Sequence, residues 1–296
     1  GWLSFNGHLV GEGAQLSGAD LYNADLSGIN LFYADLSNAN LSNANLTNAY
    51  LLGTYMYSAN LSNANLFSAT VSGTHLDGAD LSNANFSDAS IYYANLSGAN
   101  LTNANLSGAA MTGSHAGGII GMPAALPDGW QLINGYLIGQ AAYLHSAYLP
   151  YTDLSGANLS SAHLYGAHLY DANMTNADLS GANMTNAYLW GANLTNANLI
   201  SATLTGAYMS GANLNGIRSG GITGTPAYLP VGWKLINGYL VGAGANLSDA
   251  DLSGADLSEA DLTNAILTNA ILNGVIWNNT TCVDGSNSDY HLNGSC

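Results

Sequence analysis

Residues 34–51 read ADLSNANLSNANLTNAYL, and within them a leucine returns at every fifth position. The period runs from Leu16 to Met111 through twenty consecutive pentads, with Val71, Phe86 and Ile91 among the residues that replace leucine. It resumes from Leu144 to Leu214 for fifteen pentads and from Leu247 to Trp277 for seven. The residue two places before each apolar centre is nearly always Ala.

A period of five suits neither regular element. On an α-helix five residues advance about 500°, so successive leucines scatter by about 140° and form no stripe. The 36 glycines and the Asn and Ser content also disfavour helix. On a flat strand an odd spacing throws alternate leucines onto opposite faces. Both objections vanish if every pentad turns a corner. Ala and Leu, two apart, then face an interior while the other three residues face out, and the chain winds as a solenoid whose coils pair through the backbone.

These strings, with DLSGANMTNAYLWGANLTNANL at 178–199, resemble the pentapeptide-repeat family, whose consensus is A(D/N)LXX. The resemblance implies an all-β fold, a right-handed quadrilateral β-helix with four pentads per coil. At ~4.8 Å per coil, about 14 coils would make a rod roughly 65 Å long. Leucine fills such an interior, so no cofactor is expected and no pocket is left for catalysis.

Composition excludes several partners. Lys234 and Arg218 are the only fixed cations against 18 acids, giving a net charge of −16. Binding nucleic acid through phosphates needs clustered Lys and Arg, so that class is excluded. No apolar run approaches the ~18 residues of a membrane span, so no membrane insertion is expected. Only 7% of residues are charged, and amides and hydroxyls must keep the surface wet. Cys282 and Cys296 enclose a short polar loop and are expected to form a disulfide, which implies an oxidising compartment. The chain starts at Gly1 rather than Met, and removal of a leader and an extracellular or cell-surface location are expected.

A second, longer repeat interrupts the first. GWLSFNGHLVG at residues 1–11 returns as GWQLINGYLIG at 129–139 and GWKLINGYLVG at 232–242. The interruptions Met111 to Leu144 and Leu214 to Leu247 are identical in length, and each carries a GGIxGxPAxLP lead-in before the GW pair. They divide the chain into a solenoid module at 1–116, a break and second module at 117–219, and a break and shorter module at 220–277. A disulfide-closed tail at 278–296 completes one continuous rod. The plain reading of the breaks is decorated coils whose core is plugged by Trp130 and Trp233.

Positions twenty apart should stack, so each outward face can be read directly. Most carry Asn, Ser, Thr and Gly, but each long module has one aromatic side. In the second module these residues are Tyr148, His168, Tyr188 and Tyr208, flanked by Tyr170 and Trp190. In the first they are Phe32, Tyr33, Tyr50, Leu52, Tyr92 and Tyr93. Such ladders support one another by cross-strand packing, and they are also of the residue types found at contact surfaces and on sugars. His163 and His168 fall on adjacent faces and point apart, so no metal site is expected. VDGSNSDYHLNG in the tail hints at calcium, but Asp284 and Asp289 do not match the ligand spacing of a calcium loop. The N-x-S/T strings arise automatically from the pentad.

The chain is therefore expected to be a non-enzyme. The leading expectation is an exported structural protein that stacks head to tail with copies of itself into a filament or surface layer, through Gly1, Trp2, Phe5 and Trp277. The alternatives are a surface or adhesion module binding glycans through the aromatic faces and ice binding by the flat Asn/Thr ladders. From the family resemblance comes a third, an acidic rod that mimics DNA and binds gyrase.

Overall fold

The computed structural model describes residues 2–290 and Cys296, and its chain divides into two compact units, Gly1–Leu144 and His145–Cys296. Among the described residues the fold is all-β, and its only helix is the 3-10 turn Ser288–Tyr290. Both units are built from one local rule.

Each pentad makes a tight corner. The Ala19 N–H donates to the Leu16 carbonyl at 2.9 Å, and the residue just before Ala19, Gly18, has φ of +69°. A positive φ at the third residue of a turn favours Gly and Asn, which explains why one or the other recurs there. Asn38, Asn43 and Asn48 hold φ of +60°, +59° and +56°. Between corners the chain is extended for one bridge. Asp20 pairs in parallel with Asn40, held by Leu21 N–H to the Asn40 carbonyl at 2.8 Å and Asn40 N–H to the Ala19 carbonyl at 2.9 Å. In unit 1 the bridges run from Gln15↔Asp35 to Asn105↔Ala125 at a constant step of twenty residues, so one coil holds four pentads. Unit 2 repeats the step from Tyr148↔His168 to Tyr208↔Tyr228 and again from Asn246↔Ile266 to Asp261↔Thr281.

The alternation sends Ala and the apolar centre inward. From Leu16 to Leu106 in unit 1 every apolar centre is at most 2% exposed, and Phe86 is the largest of these buried side chains. Where a hydroxyl replaces the inner Ala it is satisfied by the neighbouring coil: Thr54 Oγ1 donates to the Leu31 carbonyl at 2.8 Å and Thr74 Oγ1 to the Leu51 carbonyl at 2.7 Å. Outside, Asx side chains accept from the N–H two residues on, as Asn40 Oδ1 does from Ser42 at 3.2 Å, and bind the coil below, as Asn40 Nδ2 does to Asp20 Oδ1 at 3.0 Å.

The GW repeats are β-hairpins. β1 (Leu3–Phe5) pairs with β2 (His8–Val10), β3 (Gln131–Ile133) with β4 (Tyr136–Ile138), and β5 (Lys234–Ile236) with β6 (Tyr239–Val241), all antiparallel around an Asn-Gly turn. The lead-ins are not interruptions. Asn100↔Ile120 and Asn105↔Ala125, like Asn198↔Arg218 and Thr203↔Thr223, keep the twenty-residue step through them. Only the hairpin is extra: His115↔Tyr143 and Arg218↔Asn246 pair across a longer step, so each break is five pentads with an eight-residue insertion.

The repeated glycines of the breaks have specific tasks. The Ile119 N–H donates to the Gly135 carbonyl at 2.9 Å and the Ile222 N–H to Gly238 at 3.1 Å, so the hairpin tip lies against the Gly-Ile step of its lead-in. A Cβ on Gly117 or Gly220 would come within 3.1 Å or 3.0 Å of the Tyr136 or Tyr239 ring. Trp130 and Trp233 pack against the cores of their units, though each only in part. Each is half-buried on its own hairpin, its ring so close to Gly139 or Gly242 that a Cβ there would fall 2.2 Å or 2.3 Å away. Leu126, Leu132 and the fully buried Leu137 continue the core of unit 1 at that point.

Candidate functional site

The aromatic side foreseen in the second module is a continuous ring stack in unit 2. Tyr148 and His168 lie 5.7 Å apart between centroids, His168 and Tyr188 4.8 Å, and Tyr188 and Tyr208 5.2 Å. The stack continues to Tyr228 at 5.8 Å from Tyr208. Sequence reading missed Tyr228 because it falls inside the lead-in, although its twenty-residue spacing from Tyr208 was visible. Beside it Tyr170 and Trp190 stack at 4.6 Å, 4° from parallel, and Tyr151 meets Tyr170 edge-on at 5.6 Å. The Tyr148 and Tyr170 hydroxyls share a hydrogen bond at 2.7 Å. That bond above all, with partial desolvation and nearby anionic groups, pushes the Tyr170 phenol up to about 12. The coil spacing favours this arrangement, because side chains on adjacent bridges stand close enough for their rings to stack or tilt against one another.

In unit 1 the aromatic side is interrupted between coils. Phe32 and Tyr50 meet edge to face at 6.2 Å, but Ser72 and Gly73 separate this pair and Leu52 from Tyr92 and Tyr93. Tyr33 and Tyr93 occupy corner positions with φ of +56° and +57°, where a bulky side chain is strained. Their rings lie over the next corner, where a Cβ on Gly53 or Gly113 would come within 2.6 Å or 2.4 Å. A second group, unforeseen, combines Tyr55, Tyr57 and His75. Tyr55 stacks on His75 at 5.1 Å, and Tyr57 is tilted against it at 5.2 Å. Asp77 Oδ2 sits 4.0 Å from His75 Nδ1, and desolvation followed by the Asp77 charge pushes the Tyr57 phenol up.

The remaining candidates resolve individually. Trp2 is 61% exposed and Phe5 half-buried against the core of unit 1, while Trp277 packs half-buried on the last coil of unit 2. Gly1 lies outside the described residues. Cys282 and Cys296 are joined in a disulfide. The Asp284 carboxylate accepts from Ser286 N–H and that of Asp289 from Asn279 N–H, so both brace the tail. His291 to Gly294 of the calcium-like string lie outside the described residues. No group of three metal-ligating side chains exists among the described residues, and no helix among them is long and apolar enough to cross a membrane.

A filled interior, regular polar sides and a few aromatic surfaces define a solenoid whose distinctive side chains lie on its outside. The family model for pentapeptide repeats matches residues 12–48, 34–73, 64–103, 79–115, 140–176, 177–216 and 243–276, most of the chain, and the chain belongs to that family. Membership makes the coil a right-handed β-helix. No curated protein matches it. Among solved structures the chain is similar to HetL, a pentapeptide repeat protein involved in heterocyst differentiation regulation from the cyanobacterium Nostoc sp. strain PCC 7120. The two are 26% identical over 93% of this chain and 92% of that one, with a TM-score of 0.19. It is similar also to full-length QnrB1, a plasmid-mediated fluoroquinolone resistance protein, at 18% identity over 70% of this chain and 90% of that one, TM-score 0.28. A thylakoid-lumen pentapeptide repeat protein of Arabidopsis thaliana is 35% identical over 33% of this chain and 66% of that one, TM-score 0.19.

Proposed function

We propose that the protein is a non-enzymatic, exported scaffold, a four-sided coil that assembles head to tail with copies of itself. The observation that carries this is a difference between copies of one motif. Leu9 of the first hairpin is 65% exposed, whereas its counterparts Leu137 and Leu240 are 1% and 0% exposed. The internal copies are covered by their lead-in coils: Leu137 N–H donates to the Ala116 carbonyl, and Leu240 N–H to Ser219 Oγ.

The last coil offers the matching surface. Leu267, Leu272, Val275 and Trp277, all at inward positions, are only half-buried there. Gly274-Val275-Ile276 has the pattern of Gly118-Ile119-Ile120, on which an internal hairpin tip rests, and Gly274 has φ of +71° against +69° at Gly118. A second copy's first hairpin fits this seat as the internal hairpins fit theirs, and a head-to-tail contact that does not close gives an open filament. The disulfide favours an oxidising compartment.

Light scattering and electron microscopy of purified protein test this. Wild-type protein is expected to form chains, while Leu9→Asp and Val275→Asp each give monomers. Wild-type protein that stays monomeric at high concentration overturns the reading.

A second reading, glycan binding by unit 2, is favoured by Trp190. Its one ring neighbour among the described residues is Tyr170, and the position a coil further on is Ser210, which leaves one indole face without a described ring on it. The Tyr148-to-Tyr228 stack offers mainly edges. Glycan-array binding lost in Trp190→Ala supports this reading; unchanged binding removes it.

A further inference from the structure

The GW repeat carries a second set of matched positions. At one fixed offset after its tryptophan each copy has an Asp, followed two places later by a Ser: Asp25 and Ser27, Asp153 and Ser155, Asp256 and Ser258. The residue directly after the tryptophan differs: Leu3, Gln131 and Lys234. In unit 2 the third copy is complete. Lys234 extends from β5 to the coil that follows the hairpin, and its Nζ donates to the Ser258 carbonyl. Asp256 is held below the usual carboxylate range, mainly by the Ser258 hydroxyl and N–H and also by the Lys234 charge.

In unit 1 the same place is empty. A notch of about 320 Å³ opens between β1 and the first coil, lined by Trp2, Leu3, Asp25, Ser27 and Ile29 with Gly28. Leu3 is too short to do what Lys234 does, and the Ser27 carbonyl accepts no hydrogen bond from any described residue. Gly28 stands where unit 2 has Glu259, and a Cβ on it would meet nothing within 4 Å. The Asp25 carboxylate is fixed by Ser27 N–H at 3.2 Å and Asn45 Nδ2 at 2.9 Å. Its pKa is lowered, chiefly by the Ser27 hydroxyl, so it stays ionised. The exposed Trp2 ring borders the notch, and an indole beside an ammonium adds a cation–π attraction.

We infer that this notch is a binding site for the lysine side chain of a basic protein partner, with the ammonium on the Ser27 carbonyl and Asp25 and the alkyl stem along Leu3 and Trp2. The partner is not a second copy. This chain has only two fixed cations, and Lys234 already serves the equivalent place in unit 2. The notch lies between the first hairpin and the coil after it, apart from Leu9, so the inference is independent of end-to-end assembly. The chain's −16 charge favours approach of a basic protein.

The test is an NMR titration of the whole chain with acetyl-lysine methylamide, acetyl-norleucine methylamide and n-butylammonium. The lysine probe is expected to shift the Trp2 indole and the amides of Asp25 to Ile29, and the norleucine probe to shift none. Asp25→Asn should weaken binding about tenfold, the effect of losing one charge-assisted hydrogen bond. Leu3→Lys should abolish it by filling the notch from within while leaving the fold intact. Binding indifferent to Leu3→Lys or Asp25→Asn, or equal for norleucine, overturns the site. Butylammonium bound more tightly than the lysine probe overturns the protein source in favour of a small amine.

Discussion

Gly139→Ala isolates the contact that closes the base of the second hairpin. The backbone at Gly139 is outside the left-handed region, so alanine costs nothing there conformationally and only its methyl group matters. That carbon would stand 2.2, 2.5 and 2.7 Å from three atoms of the Trp130 ring. Carbon atoms in contact rest at about 3.5–4.0 Å, so the indole must retreat by more than about 1 Å or leave the hairpin. Overpacking of this kind costs about 1–3 kcal/mol. Gly242→Ala should match it, since the Trp233 ring would be 2.3 Å away, whereas Gly11→Ala, at 2.8 Å from Trp2, should be milder. Hydrogen exchange by mass spectrometry reads the hairpin directly: protection of residues 131–138 should fall by about ten- to a hundredfold in Gly139→Ala, in proportion to the lost free energy. Unchanged protection, or a larger loss in Gly11→Ala than in Gly139→Ala, would refute the tryptophan–glycine contact as the hairpin's anchor.

Other perturbations bear on separate features. Thr74→Val keeps the buried shape but removes the hydroxyl bond to the Leu51 carbonyl, and should cost about 1 kcal/mol by urea denaturation because that carbonyl retains the Thr54 N–H. Tyr170 should be among the last tyrosines to ionise in an ultraviolet titration, at about 12 against an ordinary 10.0. Because the folded value is raised, its contact with Tyr148 is fully present below about pH 10 and is lost as pH rises through 12. Tyr148→Phe should bring that titration back down. Reduction of the Cys282–Cys296 bond, which spans 14 residues, should loosen the tail by about 3 kcal/mol in the chain-entropy model, with exchange protection falling in residues 277–290 and unchanged in unit 1.

The pentad made a solenoid legible because its two inward residues require a corner in every pentad, and the family resemblance supplied four pentads per coil. Leu16 through Leu106 are buried as that reading requires, and the twenty-residue step allowed the Tyr148 and Trp190 rings to be paired with neighbours from sequence alone. The breaks were harder. Their glycines looked like punctuation, yet Gly117, Gly135 and Gly139 are contact positions whose partners, Tyr136, Ile119 and Trp130, are set by a hairpin folded across the coil. Periodicity has no means of showing a contact of that kind. The separation of Phe32 and Tyr50 from Tyr92 was overlooked for a simpler reason: residues that share a face are neighbours only when no small residue such as Ser72 stands on the coil between them. Tyr55 and His75 are also twenty apart, so the same step that pairs Tyr148 with His168 applies to them.

The constant step between coils also governs which changes of length the protein can absorb. Removal of residues 169–188 would shorten unit 2 by one coil and leave His168 beneath Tyr208, so the ring column would close over the gap. Removal of the single pentad 176–180 would rotate everything beyond it by a quarter turn and set Asn193 over His168, though every leucine would still be buried. Core stability is therefore blind to a deletion that destroys a surface. Length variation in this chain should be tolerated by the fold in fives and by its functions in twenties.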